Sequence, residues 1–335
     1  MNLRNTIKEN AFAYQASKLE LQQARDNLIL NVILAYLQVL NNEDVVASAT
    51  RQAEVSQKQL ERLQVLDRQG AVNPSQLSDV KGQLMNDQLA IINARNEVES
   101  SKLLLAQLMN IPYSRSMELE RVNAEDFLTT YKSSADEVFQ SALQQLALIK
   151  AVQLRRKSSE YALRAVKGEL YPVVSLNGNM QTNYSSAAQN TSGKIPYSEQ
   201  IRNNVFSSVN LGLRVPIFNS FQTRNRIKLA DIAVRGNELL EENARLQVKQ
   251  NVEQAYLNMT NALERYRTLQ EQVNAYEESF KAAEVRFNAG VGTSVDYLIA
   301  KNNLDRATIN LISAKYDFVL RKKVLDYYSS NQFKY

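Results

Sequence analysis

The chain has 335 residues, of which only nine are glycine and five are proline, and it contains no cysteine, histidine or tryptophan. Without thiols and imidazoles it lacks the commonest nucleophile, general base and zinc ligands, so most classes of enzyme and metal site are disfavoured. Forty basic and 35 acidic residues give a net charge of +5, a small excess that does not by itself indicate nucleic acid or an anionic membrane as a partner.

The first predicted element is a long helix over about residues 3–69, which contains no proline or glycine and repeats apolar residues every three or four positions. Gly70 ends it, because glycine accepts the left-handed backbone of a helix C-terminus. Asn73 then precedes a first-turn proline, the pattern that caps and starts a second helix over 74–109. Residues 1–110 are therefore predicted to form a helical hairpin with a tight turn at its tip.

The hairpin is followed by an irregular linker, 111–133, and by a predicted helix over 134–170. This helix and the returning helix of the hairpin are each about half as long as the first helix. Stacked end to end, they form a second column of the same height.

Residues 171–218 carry the strong strand signal, with apolar and polar residues alternating in two runs. Pro172 lies where the chain enters the first run and Pro216 where it leaves the second. Between them, the polar segment 185–203 is predicted to be an external loop. Each run is long enough to cross a bilayer as an inclined strand, while a soluble two-stranded ribbon is the alternative interpretation. The alternating apolar positions are Val174, Leu176, Met180, Tyr184, Val209, Leu211, Leu213 and Val215.

Residues 219–330 are predicted to form a second helical hairpin. Its long helix covers about 221–289 and ends at Gly290, which matches Gly70. Thr293 and Asp296 then form a capping-box pattern at the start of the returning helix.

The two hairpins are copies of each other. From about residue 3 to 105, each residue resembles the one 220 positions later, without a gap, as in Gly70 and Gly290. Shared helical composition would give similarity at many offsets, whereas one register over such a length indicates an internal duplication.

The same offset places the counterparts of the strand pair and of the helix before it upstream of Met1. We therefore expect the first repeat's strand pair, with any signal peptide, to be missing from this chain. On that expectation, the polar N-terminus is no evidence for a cytosolic location.

This pattern resembles the TolC-like outer-membrane efflux proteins. The resemblance covers essentially the whole chain and rests on the duplicated glycines with their following caps, on Leu170-Tyr171-Pro172 before the first strand, and on Val215-Pro216-Ile217-Phe218 after the second. The chain departs from the family at one turn. A short Asp-Gly-Gly-type turn often follows the Pro-x-Phe motif in the family, whereas the sequence here is Asn219-Ser220-Phe221.

The resemblance implies a homotrimer with a transmembrane β-barrel in the outer membrane and a long periplasmic α-barrel built from the duplicated hairpins. Each complete protomer would give four strands, because two strands from each of three chains make six, below the roughly eight of the smallest barrels. The implied function is a passive exit duct of a tripartite efflux or type I secretion system. The implied partners are a periplasmic adaptor, an inner-membrane pump and outer-membrane lipid, with no nucleic acid, cofactor, metal or catalytic residue.

The resemblance also places the hairpin tips at the periplasmic entrance, which opens by untwisting of the returning helices. Asp296 matches an acidic position that lines this constriction in the family, and Asp79 is a second candidate gate residue. Each has a simpler interpretation. Asp296 is the third helical residue of a capping box, where the helix dipole favours a carboxylate, and Asp79 fits a solvated helix face.

A competing function is a soluble or peripheral coiled-coil scaffold or adaptor, in which the alternating runs form a small soluble sheet. It predicts monomers or dimers that are extracted without detergent. The duct predicts a trimer in the outer-membrane fraction.

Overall fold

The computed structural model describes residues 2–71, 73–121, 131, 133–191 and 193–330, and the chain is mainly α-helical with a small β part. This is the fold class that the sequence predicts. In chain order, the described elements are α1 (Asn2–Arg68), α2 (Pro74–Met109), α3 (Ala135–Gln145), α4 (Ala147–Lys167), β1 (Val173–Gln181), β2 (Gln189–Asn190), β3 (Gly193–Lys194), α5 (Tyr197–Asn203), β4 (Phe206–Arg214), α6 (Gln222–Asn288) and α7 (Ser294–Ser330).

The two long helices have 67 residues each and begin and end within one residue of the predicted bounds. Helix α2 runs antiparallel to α1. Asn42 of α1 donates a hydrogen bond to Ser101, and Ser56 donates one to Asp87, so positions rise on one helix as they fall on the other. The sequence therefore predicted the hairpin correctly.

The helix predicted over 134–170 is interrupted, so this prediction was wrong in part. Leu146 has an extended backbone (φ −61°, ψ 130°) between α3 and α4, and a 3₁₀ turn replaces the end of the predicted helix. The break frees the backbone N–H of Leu148, which donates to the side chain of Gln23 at 3.2 Å. A side chain from a distant helix thus compensates for a break that local propensity does not favour.

The linker has neither helix nor strand at residues 111–121, while 122–130 and 132 lie outside the described residues. Its described part is fixed to the helices. The Lys102 ammonium of α2 donates to the Met117 carbonyl at 2.8 Å, and Arg121 lies 3.3 Å from the Asp44 carboxylate of α1.

Strands β1 and β4 form an antiparallel two-stranded ladder in which Val173 faces Arg214 and Gln181 faces Phe206. Each has nine residues, fewer than the alternating runs from which they were predicted. The loop prediction was also wrong in part, because segment 185–203 holds the short β2–β3 ladder and α5. The buried Gln200 side chain organises this segment, since it accepts a hydrogen bond from the Ser185 N–H and donates to the Ile195 carbonyl.

The chain divides into two compact units, one of Met1–Ala16 and Val152–Glu241, the other of Ser17–Ala151 and Glu242–Tyr335. The first unit holds the strands, and the second holds both hairpin tips. These units cut across α1 and α6. The domain boundaries drawn from the sequence follow the order of elements instead, and they stay a prediction.

Among the described residues, no helix combines the length and apolar character that crossing a bilayer requires.

Candidate functional site

The turns at the hairpin tips have the backbone that their glycines indicate. Gly70 has φ +70° and Gly290 has φ +73°, both in the left-handed region. An added Cβ would meet no atom within 4 Å at either position, so glycine is required by the backbone conformation rather than by space. The next N–H groups, of Ala71 and Val291, close the turns by donating to the carbonyls of Leu66 and Arg286.

The returning helices are capped as predicted, although the details differ. The Asn73 side chain accepts from the Ser75 N–H at 3.0 Å, and Pro74 occupies the first turn of α2. At the other tip, the Thr293 hydroxyl accepts from the Asp296 N–H at 3.1 Å and donates to the Asp296 carboxylate at 2.7 Å. Asp296 is thus engaged by its own helix cap, while its side chain remains exposed.

The structure brings the two candidate gate aspartates close to the dipeptide Thr293–Ser294, an arrangement that the sequence did not predict. The buried Ser294 follows Thr293 and donates a hydrogen bond to the Asp79 carboxylate at 2.8 Å. This bond joins the tip of the first hairpin to the tip of the second. Asp79 is exposed, as the simpler interpretation of a solvated face expects, and it also links the two repeats.

An apolar cluster lies next to this contact and draws on all four helices of the tips. Its centre is Tyr297, whose ring stacks on Phe287 at a centroid distance of 5.0 Å and contacts Phe280 at 5.6 Å. The Tyr297 hydroxyl is buried without a hydrogen-bond partner among the described residues, and burial raises its pKa. The buried members of the cluster are Leu60, Leu63, Val80, Leu84, Phe287 and Tyr297.

A buried charged cluster lies on the same helices and was missed in the sequence. The Lys301 side chain is 2% exposed, and its ammonium contacts the carboxylates of Asp87 at 2.9 Å and Asp305 at 2.6 Å. Asp87 also accepts from Ser56 at 2.5 Å and from Gln83 at 2.8 Å. The cluster connects α7 with both helices of the first hairpin, and we call it the lysine cluster.

Two carboxylates share one ammonium in the lysine cluster, and they differ in burial, since the Asp87 side chain is 8% and the Asp305 side chain is 17% exposed. Burial raises the pKa of the Asp305 carboxyl above its ordinary value of 3.8, although Lys301 acts in the opposite direction. A sequence signal for this cluster did exist. Lys301 lies on the apolar stripe of α7 with Tyr297 and Leu304, where a lysine needs a partner.

The strand-flanking prolines lie just outside the β1–β4 ladder. Pro172 immediately precedes β1, and Pro216 lies two residues after the end of β4. Both positions suit a residue without an N–H, because no ladder hydrogen bond is required there. Both residues are exposed.

Comparison with known proteins gives a consistent picture. The family model of outer membrane efflux proteins matches residues 138–325, more than half of the chain. The outer membrane protein TolC of Escherichia coli is 25% identical over 321 residues, which cover 95% of this chain and 64% of that protein. TolC of Vibrio cholerae is 26% identical over 300 residues, 88% of this chain and 66% of that protein. The chain thus spans less than two thirds of the length of these relatives.

Solved structures share the fold. The outer membrane protein VceC of Vibrio cholerae superposes with a TM-score of 0.80 at 14% identity, over 99% of this chain and 77% of that chain. The MtrE outer membrane channel of Neisseria gonorrhoeae, solved in its open state, also has a TM-score of 0.80, at 18% identity, over 98% of this chain and 71% of that chain. Together with the family match, these likenesses confirm the resemblance found in the sequence: the chain belongs to the outer membrane efflux protein family.

Proposed function

We propose that this chain forms part of the wall of a passive exit duct that crosses the outer membrane and the periplasm. The duct is a homotrimer that serves a tripartite efflux or type I secretion system, with a periplasmic adaptor and an inner-membrane pump as partners. Family membership supports this proposal, as do the relatives named as outer membrane proteins and the neighbour described as an outer membrane channel. In this proposal the chain performs no chemistry.

The observation that carries the membrane part is the surface of the β1–β4 ladder. Cross-strand pairs place Leu176 opposite Leu211 and Val174 opposite Leu213, so one face of the ribbon is apolar. These side chains are not buried, since Leu176 is 72% and Leu211 is 75% exposed. The other face is polar, with Asn177 paired to Asn210.

A ribbon with one bare apolar face and one polar face is suited to a barrel wall, with lipid outside and water inside. Two strands alone leave both edges unpaired, and lipid offers no hydrogen bonds to an edge. The ribbon therefore requires neighbouring strands to close a sheet, and a trimer supplies enough of them when each protomer contributes four strands.

We also propose that the hairpin tips form the periplasmic gate, with Asp296 and Asp79 as gate residues. The Ser294–Asp79 hydrogen bond holds the two hairpins together at their tips. Separation of the tips during opening would break this bond and expose the apolar cluster around Tyr297. Asp296 lies beside the same contact with an exposed carboxylate, where it can interact with cations that enter.

The test is reconstitution of the complete protomer, with four strands, in planar lipid bilayers with single-channel recording. We expect a defined conductance, which cations block from the tip side, and a trimer in mass photometry of the detergent-solubilised protein. Asp296→Asn should weaken the cation block, whereas Glu264→Gln, at an exposed mid-helix position of α6, should leave it unchanged. A monomer or dimer that stays in solution without detergent and forms no channels would favour the coiled-coil scaffold instead.

The gate assignment has a separate test in Asp79→Asn and Ser294→Ala. Each change removes or weakens the bond between the tips, so the open probability should rise. An unchanged open probability in both variants, in channels of normal conductance, would remove the tip contact from the gate and leave the duct intact.

A further inference from the structure

The junction between helices and strands in the first compact unit is strongly basic. The segments 164–171 and 214–228, which we call the collar, flank the β1–β4 ladder at one end. They contain six basic residues and one acidic residue, Glu169, in a chain whose overall totals are 40 and 35. The basic residues are Arg164, Lys167, Arg214, Arg224, Arg226 and Lys228.

The single acidic residue of the collar is already paired. The Glu169 carboxylate lies 2.7 Å from the Arg226 guanidinium. The Arg224 guanidinium lies over the Phe221 ring, 5.5 Å from its centroid. Most of the positive charge of the collar is therefore left without a carboxylate from these two segments.

Large apolar side chains of the collar point into solvent beside these charges. Ile217 is 93% exposed, Phe218 is 76% exposed and Phe221 is 55% exposed. The two phenyl rings meet edge to face at 5.8 Å. With Leu170, Pro216 and Arg224, these residues line a recess of about 160 Å³.

The backbone that presents Phe221 is strained. Ser220 has φ +53° and Phe221 has φ +62°, in the left-handed region that bulky residues seldom adopt. These are the positions at which the family's short turn often has two glycines. The chain keeps a backbone that suits glycine but carries a phenyl ring on it. Such strain persists where the surroundings or a function require it.

We propose that the collar binds the headgroups of anionic phospholipids, with its arginines against the phosphates and its phenyl rings among the upper parts of the acyl chains. Exposed aromatic residues beside basic residues favour the interface of a bilayer, and each basic residue near an anionic leaflet strengthens binding by about fivefold. The charge selects anionic lipid, because neutral headgroups leave the surplus of arginine and lysine unmatched.

The opposite end of the ladder differs. Segment 182–205 has two basic residues and one acidic residue, so its surplus is a single charge. The preference for anionic lipid is therefore specific to the collar. This inference rests on the proposed membrane location, and its test separates the two.

The absence of tryptophan in the chain makes a sharp experiment possible. Phe221→Trp gives a single tryptophan at the collar. Met180→Trp gives one at the other end of the ladder, on the apolar face that it shares with Leu176, and serves as the matched control. Each variant is reconstituted in equal mixtures of phosphatidylcholine and phosphatidylglycerol, with one or the other lipid dibrominated so that it quenches tryptophan.

At position 221, brominated phosphatidylglycerol should quench at least threefold more effectively than brominated phosphatidylcholine. The preference should disappear when Arg224→Gln and Lys228→Gln, at two exposed positions one turn apart on α6, are added. It should weaken in 0.5 M salt without any further substitution. At position 180 the two lipids should quench alike.

Equal quenching by both lipids at position 221 would overturn the anionic-lipid site while leaving the membrane location standing. Absence of quenching by either lipid at both positions would overturn the membrane location itself. An equally strong preference for phosphatidylglycerol at position 180 would show that the whole ribbon selects anionic lipid, which also overturns the collar as the site.

Discussion

Replacing Lys301 by methionine is the most informative perturbation of the hairpin tips. Methionine has a similar length and no charge, so the Lys301→Met variant keeps most of the packing on α7. It removes the ammonium that Asp87 and Asp305 share at 2.9 and 2.6 Å. The buried Asp87 carboxylate then remains on the α2–α7 contact without its cation.

Removing one partner of a buried ion pair costs about 3–5 kcal/mol, since the remaining charge is desolvated and unmatched. This range applies here because the Lys301 and Asp87 side chains are only 2% and 8% exposed. Asp87 keeps its hydrogen bonds from Ser56 and Gln83, which places the expected cost at the lower end, about 3 kcal/mol. A change of this size increases local opening about a hundredfold.

Hydrogen exchange followed by mass spectrometry measures that opening directly. Peptides from α2 and α7 near the lysine cluster should lose about two orders of magnitude of protection, while peptides from the strands should not change. The matched control is Lys81→Met. Lys81 is the equivalent position of the first repeat and is exposed. Its replacement should therefore change the free energy of unfolding by less than about 0.5 kcal/mol.

Equal protection in the two lysine variants would refute this reasoning. So would a Lys301→Met variant that is more stable than the parent chain at neutral pH, since it would mean that desolvation of the ammonium outweighs its pairing.

Three further predictions concern the same region. The Tyr297→Phe variant removes a buried hydroxyl without a partner in the described structure and should raise stability by about 1 kcal/mol in thermal unfolding, while Tyr14→Phe, at an exposed ring, should have no effect. Gly290→Ala should lower the free energy of unfolding by about 1 kcal/mol, because Gly290 has a positive φ. Gly82→Ala, inside α2, should raise it by a similar amount. Protection of α7 should increase as the pH falls through the raised pKa of Asp305 towards the ordinary value of 3.8.

The direction of the pH effect follows from proton linkage. Asp305 has a higher pKa in the folded chain than its ordinary value of 3.8, so folding takes up a proton as the pH falls through the folded value. Asp305→Asn should abolish this dependence. A loss of protection of α7 over the same pH range would contradict the assignment, as would a destabilising Tyr297→Phe change or a stabilising Gly290→Ala change.

The helices could be predicted closely because their ends carry strong local signals. Gly70 and Gly290 supply the left-handed turns, and Asn73 and Thr293 supply the caps. The break at Leu146 carries no such signal. It is compensated by Gln23, far away in the sequence, so it depends on tertiary contacts that a local pattern does not contain.

The candidate site was predictable only in its local part. The turn glycines and caps were visible in the sequence, and so were the two aspartates. The Ser294–Asp79 bond and the Asp87–Lys301 pair join residues more than 200 positions apart. The duplication aligns Lys301 with Lys81. The two observed contacts, in contrast, join positions that the duplication does not align.

That asymmetry makes the two hairpins complementary rather than interchangeable. Asp87 corresponds to Ala307 in the second copy, and Asp305 corresponds to Met85 in the first. The buried acid of one copy therefore has its cation only in the other. A hybrid protein assembled from two first hairpins would contain Asp87 without Lys301. One assembled from two second hairpins would contain Lys301 without Asp87, so neither would form this ion pair. Each hairpin therefore needs the other to complete this buried ion pair.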